Sequence, residues 1–318
     1  MPISRYRDWD SFTFPGRDAG ADADAPVAFC ADLSPASVLA AYRRGIVPLP
    51  ASDDFVRTLN EFRYEDQVAA GTIAIVADDA GDPFEVAWWS PDPRPVIGVG
   101  EVHLGRNVRK RLRRDALTTS ADAAFGEVAE ACRAGREPRW LTDPLLDTLT
   151  ELRGQGWAHS IEVWRGDELV GGAFGIGIGA VISGDSLFGR QPGAAAVAVA
   201  DMSARLMTAG GVLIDAQWDG PLLRSLGAEP MPRERYLALL DRQAGPLALP
   251  TGRLPAERLL PDPPAAGGRA GDPGGRLAQP CVRADRRQRR DGRGVVRQPR
   301  AGQRAAVVPV APVAEDLV

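Results

Sequence analysis

Val212-Leu213-Ile214-Asp215-Ala216-Gln217-Trp218 reads as a buried strand: an apolar run closed by a carboxylate and, two positions on, an amide. Side chains along a strand repeat every two residues, so Asp215 and Gln217 are expected to project from one face. A carboxylate that orients an amide oxygen suits proton handling at an amine. Spacing alone favours a plainer reading, two polar residues at a strand end facing water. The segments on either side have to decide.

Immediately upstream, 159–164 and 169–174 read as strands joined by the turn Arg165-Gly166-Asp167-Glu168, and 180–183 continues the sheet. A long helix over about 194–209 follows, then the quoted strand, then short helices near 221–226 and 233–242. The second half is therefore an α/β (α+β) layer, one sheet with helices packed on it. By analogy it is compatible with the fold of acyl-CoA N-acyltransferases. The run Gly175-Ile176-Gly177-Ile178-Gly179 lacks the Gly-x-Gly-x-x-Gly spacing of a cofactor loop and reads as a hairpin or bulge beside the cleft.

Further upstream, Pro144 after Asp143 opens a helix to about 153. Another is expected over 121–134, with Ser120 as cap, Gly135 as stop, and Phe125, Val128, Ala129 and Cys132 on its apolar face. Ser34 as N-cap, Pro35 at the first helical position and Gly45 after the last turn bracket a helix with Val38, Leu39 and Tyr42 as its stripe. Residues 17–27 and 50–70 read as loops, and 72–77 with 84–89 as a hairpin about the turn 78–83. The expected division is a small N-terminal domain (1–95), an acyltransferase-like domain (96–257) and a disordered tail (258–318). The tail is rich in Pro, Gly, Ala and Arg, and cannot bury enough apolar surface to offset the entropy of ordering.

Bulk properties exclude several classes. No stretch approaches the roughly 20 apolar residues that span a bilayer, and the N-terminal residues lack the apolar core of a signal peptide; a cytoplasmic protein without membrane partners is expected. Cys30, Cys132 and Cys281 are odd in number and far apart, and His103 and His159 are the only histidines. Neither a disulfide framework nor a metal site is expected, and no cofactor. Residues 261–318 carry 11 arginines against 6 acids, so a whole-chain charge of −4 leaves an acidic body. Nucleic-acid binding would need a local basic patch. Arg106-Asn107-Val108-Arg109-Lys110-Arg111-Leu112-Arg113-Arg114 supplies one, with Val108 and Leu112 four apart to bury one edge of a helix. Phosphate contacts from Arg106, Arg109, Lys110, Arg111, Arg113 and Arg114 would bind without reading sequence.

Several segments join the opening one in order: Tyr42-Arg43-Arg44-Gly45-Ile46-Val47-Pro48, Trp88-Trp89-Ser90-Pro91-Asp92-Pro93-Arg94, Ala158-His159-Ser160-Ile161-Glu162-Val163-Trp164, Leu169-Val170-Gly171-Gly172-Ala173-Phe174-Gly175, Ser183-Gly184-Asp185-Ser186-Leu187-Phe188 and Ser225-Leu226-Gly227-Ala228. As an ordered set over about 30–257, they resemble the leucyl/phenylalanyl-tRNA–protein transferases. The resemblance implies transfer of Leu or Phe from aminoacyl-tRNA to protein N-termini that begin with Arg or Lys, marking them for N-terminus-dependent degradation; because an apolar pocket discriminates weakly between side chains of similar size, some acceptance of Met is also expected. It implies that Asp215 polarises the Gln217 amide, whose oxygen faces the attacking amine, and that Asp185 attracts the cationic acceptor. It points to Trp140, Phe174, Ser186, Leu187 and Phe188 for the donor pocket, and to the basic segment for tRNA. The chain departs from the family pattern at Asp185 (Glu), Ala195-Ala196 (Ser-Lys), Leu222 (His) and Leu49 (Trp). Those departures keep open a non-catalytic tRNA- or peptide-binding relative. A small-molecule N-acetyltransferase on a similar fold is the third reading.

Overall fold

The computed structural model describes residues 4–14, 25–77, 79–134, 139–240 and 245–261. In chain order the elements are β1 (Arg5–Tyr6), β2 (Ala28–Phe29), α1 (Pro35–Tyr42), β3 (Val47–Pro50), α2 (Asp54–Ala69), β4 (Ala74–Val76), β5 (Val86–Trp89), β6 (Arg94–Gly98), α3 (Arg106–Arg114), β7 (Thr118–Ala121), α4 (Phe125–Arg133) and α5 (Asp143–Gly154). They continue with β8 (Ala158–Arg165), β9 (Glu168–Ile178), β10 (Val181–Gly189), α6 (Ala194–Thr208), β11 (Leu213–Asp215), α7 (Pro221–Ser225), β12 (Glu229–Met231), α8 (Arg233–Leu239) and β13 (Leu254–Pro255). Among the described residues they make a five-stranded sheet, β1-β4-β2-β5-β3, and an eight-stranded sheet, β12-β6-β11-β10-β9-β8-β7-β13. The larger sheet is antiparallel except where β10 and β11 run side by side in parallel.

Alternation along the central strands loads both faces of the larger sheet. Val181, Leu213, Phe174 and Ile176 face the apolar cluster that holds Phe125 and Val128 of α4, Leu145 and Leu149 of α5, and the smaller sheet. Ile182, Ile214, Val170 and Ala173 face the second cluster, filled by Leu112 of α3 and most of α6. A central sheet buried on both faces explains the near-continuous apolar reading of β8–β10. Helix α6 lies close against β9 because both are small where they touch: a Cβ on Gly171 would sit 2.6 Å from the Ala194 Cβ.

The α1 reading agrees with the structure: Ser34 Oγ accepts the Ser37 N–H at 3.4 Å and Pro35 starts the helix. Elsewhere the structure corrects the sequence. Residues 50–70 are largely helix α2, capped by Asp53, whose side chain accepts the Val56 N–H at 2.9 Å. Only Tyr64 and Val68 of α2 are buried, so it lacks the dense apolar period that betrays a helix. Segments 72–77 and 84–89 do not form a hairpin, since β2 lies between β4 and β5 and pairs with both. The helix expected from 121 begins at Phe125, because 118–121 form β7 against β8. Ser120 is a strand residue whose hydroxyl donates to Glu162 (2.5 Å). Buried Glu162 of β8 reaches the α4 start, accepting from the Ala124 N–H at 3.3 Å. The glycine run lies within β9 up to Ile178, with Gly179 (φ +59°) in the turn; the bulge is opposite, on β10. Residues 256–259 form a 3-10 turn pinned by Arg258 to Asp201, so the tail assignment is corrected at its start. Its remainder from 262, and the Gly135 stop, lie outside the described residues.

Candidate active site

Ser183 of β10 pairs with Asp215 of β11, and there the parallel pairing stops. Strand β11 ends, while β10 shifts register between Gly184 and Ser186. Gly175 permits this: a Cβ there would lie 2.1 Å from the Ser183 carbonyl oxygen. The divergence opens a cleft beyond the carboxyl end of the parallel pair. Phe174, Leu187, Met202 and Trp218 line it together with Asp185 and Gln217, around an empty volume of about 700 Å³ that includes its open mouth. Apolar walls with a few convergent polar groups are the usual make-up of a small-ligand site.

Asp215 is fully buried and its carboxylate accepts five hydrogen bonds. Arg94 grips it with two nitrogens, Nε to Oδ1 at 2.9 Å and Nη2 to Oδ2 at 2.8 Å. Ser183 Oγ and the Tyr236 hydroxyl each donate to Oδ2 at 2.9 Å, and the Gln217 backbone N–H donates to Oδ1 at 2.8 Å. Burying one charge alone is costly, so Arg94 is as necessary as the carboxylate. The third guanidinium arm donates to the Gly45 carbonyl at 2.7 Å. Burial by itself would lower the Arg94 pKa, but Asp215, with Tyr236 and Tyr42, outweighs it and holds the guanidinium charged. Burial, then the Asp215 charge, lifts the Tyr236 hydroxyl well above its usual range, which keeps it a donor.

Gln217 is not a strand residue. Its φ of +58° is left-handed, and this turn, not strand alternation, brings its side chain back beside Asp215. Its Nε2 donates to Ser183 Oγ at 3.0 Å and to Asp185 Oδ1 at 2.5 Å. The expectation that Asp215 polarises the Gln217 side-chain amide is therefore corrected: Asp215 binds the Gln217 main chain. Asp185 Oδ1 also accepts from the Tyr42 hydroxyl at 2.6 Å, while its Oδ2 is buried without a partner among the described residues. Burial pushes the Asp185 carboxyl up to about 7, against the pull of the Tyr42 and Gln217 hydrogen bonds. Burial, reinforced by the Asp185 charge, keeps Tyr42 protonated by raising it well above its ordinary value.

Of the proposed donor-pocket residues, Phe174, Ser186 and Leu187 line the cleft and two do not. Phe188 packs into the cluster beneath α4 and lies near Gly172. Trp140 is partly buried against the same cluster before α5, its indole nitrogen buried without a partner among the described residues. The basic segment forms helix α3, seated by buried Leu112 and part-buried Val108. Arg106, Lys110, Arg113 and Arg114 are exposed, Arg109 and Arg111 half-buried. Asp115 at the helix end draws on Arg111, Arg114 and Arg165, which offsets part of the charge. Lys110, Arg111 and Arg114 border a groove that ends at Pro192 and Gly193, where α6 begins.

A family model described as leucyl/phenylalanyl-tRNA protein transferase matches residues 96–241. A leucyl/phenylalanyl-tRNA–protein transferase of Teredinibacter turnerae is 36% identical over 245 residues, covering 76% of this chain and 83% of the relative. The chain belongs to the leucyl/phenylalanyl-tRNA–protein transferase family. The enzyme so named from Xanthomonas axonopodis pv. citri is 35% identical over 240 residues, 74% of this chain and 84% of its own. That of Thiobacillus denitrificans reaches 42% over 158 residues, 49% of this chain and 69% of its own. Within this family member, sequence reasoning did not assign Arg94, Tyr236 or Ser183 to the site, and took Tyr42 only as helix stripe. Arg94, Tyr42 and Ser183 do fall in the quoted segments. A lone Arg after a strand or a Tyr near the end of a short helix carries no spacing signal, because their partners are 121 and 143 residues away in sequence.

Proposed function

We propose that the chain transfers Leu or Phe from aminoacyl-tRNA to the α-amine of protein N-termini that begin with Arg or Lys, and acts in the cytoplasm, where charged tRNA is found. The reading rests above all on Asp185, which turns one oxygen to Tyr42 and Gln217 and leaves the other, buried and unpartnered among the described residues, at the apolar cleft. The aminoacyl ester is already activated, so the reaction needs an amine that is neutral and aimed. A free α-amine has a pKa of about 7.7–8.0 and is largely protonated at neutral pH. Asp185 draws the ammonium in and takes one proton from it, and the Gln217 oxygen accepts one N–H of the resulting neutral amine and fixes its lone pair toward the ester carbonyl. The C–N bond forms, the ester C–O bond breaks, and the amine proton leaves with the ribose hydroxyl. Asp215, committed to five donors, shapes the site without taking the proton. Phe174 and Leu187 give the donor side chain an apolar wall, and α3 holds tRNA phosphates near the groove at the α6 start. Among the described residues no helix is long and apolar enough to cross a membrane.

Incubating the protein with labelled Leu-tRNA and a peptide that begins with Arg should give labelled peptide. A peptide left unlabelled at micromolar enzyme, with the charged tRNA bound, would instead select the non-catalytic relative.

A further inference from the structure

We propose that Ser183 is a positioning residue for the transfer step: its hydroxyl couples Asp215 to the Gln217 side chain and decides which end of that amide meets the amine. This rests on the functional reading above, and it starts from a gap in the geometry. Asp215 reaches only the main chain of Gln217. Among the described residues, the one group that touches both the carboxylate and the side-chain amide is Ser183 Oγ, 2.9 Å from Asp215 Oδ2 and 3.0 Å from Gln217 Nε2. The three residues are each buried, and Ser183 and Asp215 are register partners on adjacent strands, so the chain is held by backbone pairing as well as by side chains.

Hydrogen counting gives the arrangement its direction. A serine hydroxyl has one hydrogen and two lone pairs, and an ionised carboxylate only accepts. Held beside Arg94, Asp215 takes the Ser183 hydrogen, so Ser183 turns a lone pair toward Gln217. An amide NH2 satisfies that lone pair; an amide oxygen would not. The other neighbour, Asp185 Oδ1, already accepts from Tyr42 and likewise calls for the NH2. Both amide hydrogens are thereby used, and the flipped amide would set its oxygen against two acceptors. The oxygen is left for the substrate. Without Ser183, Asp185 alone opposes the flip, and a carboxyl that picks up a proton becomes a donor that welcomes the amide oxygen.

Steady-state transfer by Ser183→Ala should show kcat reduced about tenfold, the scale of one lost oriented hydrogen bond, with KM for tRNA and peptide within about twofold. Ser183→Thr, which keeps the hydroxyl, should recover most of the rate. On a Gln217→Ala background the Ser183→Ala change should add nothing, because the two act as a unit. A wild-type kcat in Ser183→Ala, a loss that persists in Ser183→Thr with unchanged Tm, or additive losses in the double variant would overturn the proposal. The Gln217 side-chain NH2 signals in NMR, identified by their loss in Gln217→Ala, provide a readout independent of activity. They should shift in Ser183→Ala; unmoved signals would also overturn it. Absence of transfer by the wild-type protein would sink the functional reading and leave this NMR test to decide the role of Ser183.

Discussion

At the scale of residues, the site is defined by how each polar atom is satisfied. Asp215 has five donors and no spare capacity of its own, whereas Asp185 has a buried oxygen with no partner among the described residues. Burial raises the Asp185 carboxyl to about 7. The folded state therefore holds the Asp185 proton more tightly than the unfolded chain, where the carboxyl titrates near 3.8. Its contribution to stability is full below about 4 and is lost as pH rises through about 7. Asp185→Asn should consequently raise Tm relative to wild type most at pH 8, less at pH 5 and least below about pH 4, while slowing transfer throughout; a wild-type Tm at pH 8 would refute the buried carboxylate. Stability given up at a working group is a common trade. The sequence made Asp215, Gln217 and Asp185 legible as candidates because carboxylates and amides stand out at a strand end. It could not show that Asp215 addresses the main chain of Gln217, since that depends on a left-handed φ at Gln217.

At the scale of elements, helix α3 separates charge that is free to bind from charge already engaged. Asp115 draws on Arg111 at 3.6 Å, Arg114 at 2.6 Å and Arg165 at 3.6 Å, whereas Arg106, Lys110 and Arg113 are exposed and have no ion pair among the described residues. Replacing Arg106, Lys110 and Arg113 with Ala should weaken tRNA binding and flatten its log–log salt dependence by about 0.7–0.9 for each phosphate no longer neutralised. Replacing Arg114 alone should do so less. Filter binding over a salt series distinguishes the two, and equal slopes would remove α3 from the tRNA interface. Helix α3 was legible because six basic residues interrupted by Val108 and Leu112 repeat at helical spacing. Helix α2 was not, because its face toward the core is reduced to Tyr64 and Val68 while Phe55, Leu59 and Phe62 are exposed. The end of strand β7 was taken for the start of α4 because Ser120 resembles a helix cap; its true partner, Glu162, lies 42 residues on.

At the scale of the whole molecule, Arg94 joins the two sheets at the site. It opens β6 of the larger sheet, binds Asp215 on β11, and reaches back to the Gly45 carbonyl in the turn between α1 and β3. Tyr42 from α1 crosses to Asp185 in the same way. Arg94→Met should destabilise the fold by about 3–5 kcal/mol, because it leaves a buried carboxylate unpaired. Arg94→Met with Asp215→Leu should recover much of that stability and still not catalyse. Urea titration measures the first effect, and a single variant as stable as wild type would refute the pairing. What the sequence determined by itself is what local chemistry dictates: the mixed α/β class, the α1 bracket, the central strands and the basic helix. It also determined family membership, because many ordered segments together outweigh any one motif. Only the tertiary structure decided which groups meet. The parallel pairing of β10 with β11, the register shift after Gly184 and the crossing of Arg94 and Tyr42 set the site. These bring together residues far apart in the chain, and no local period encodes them.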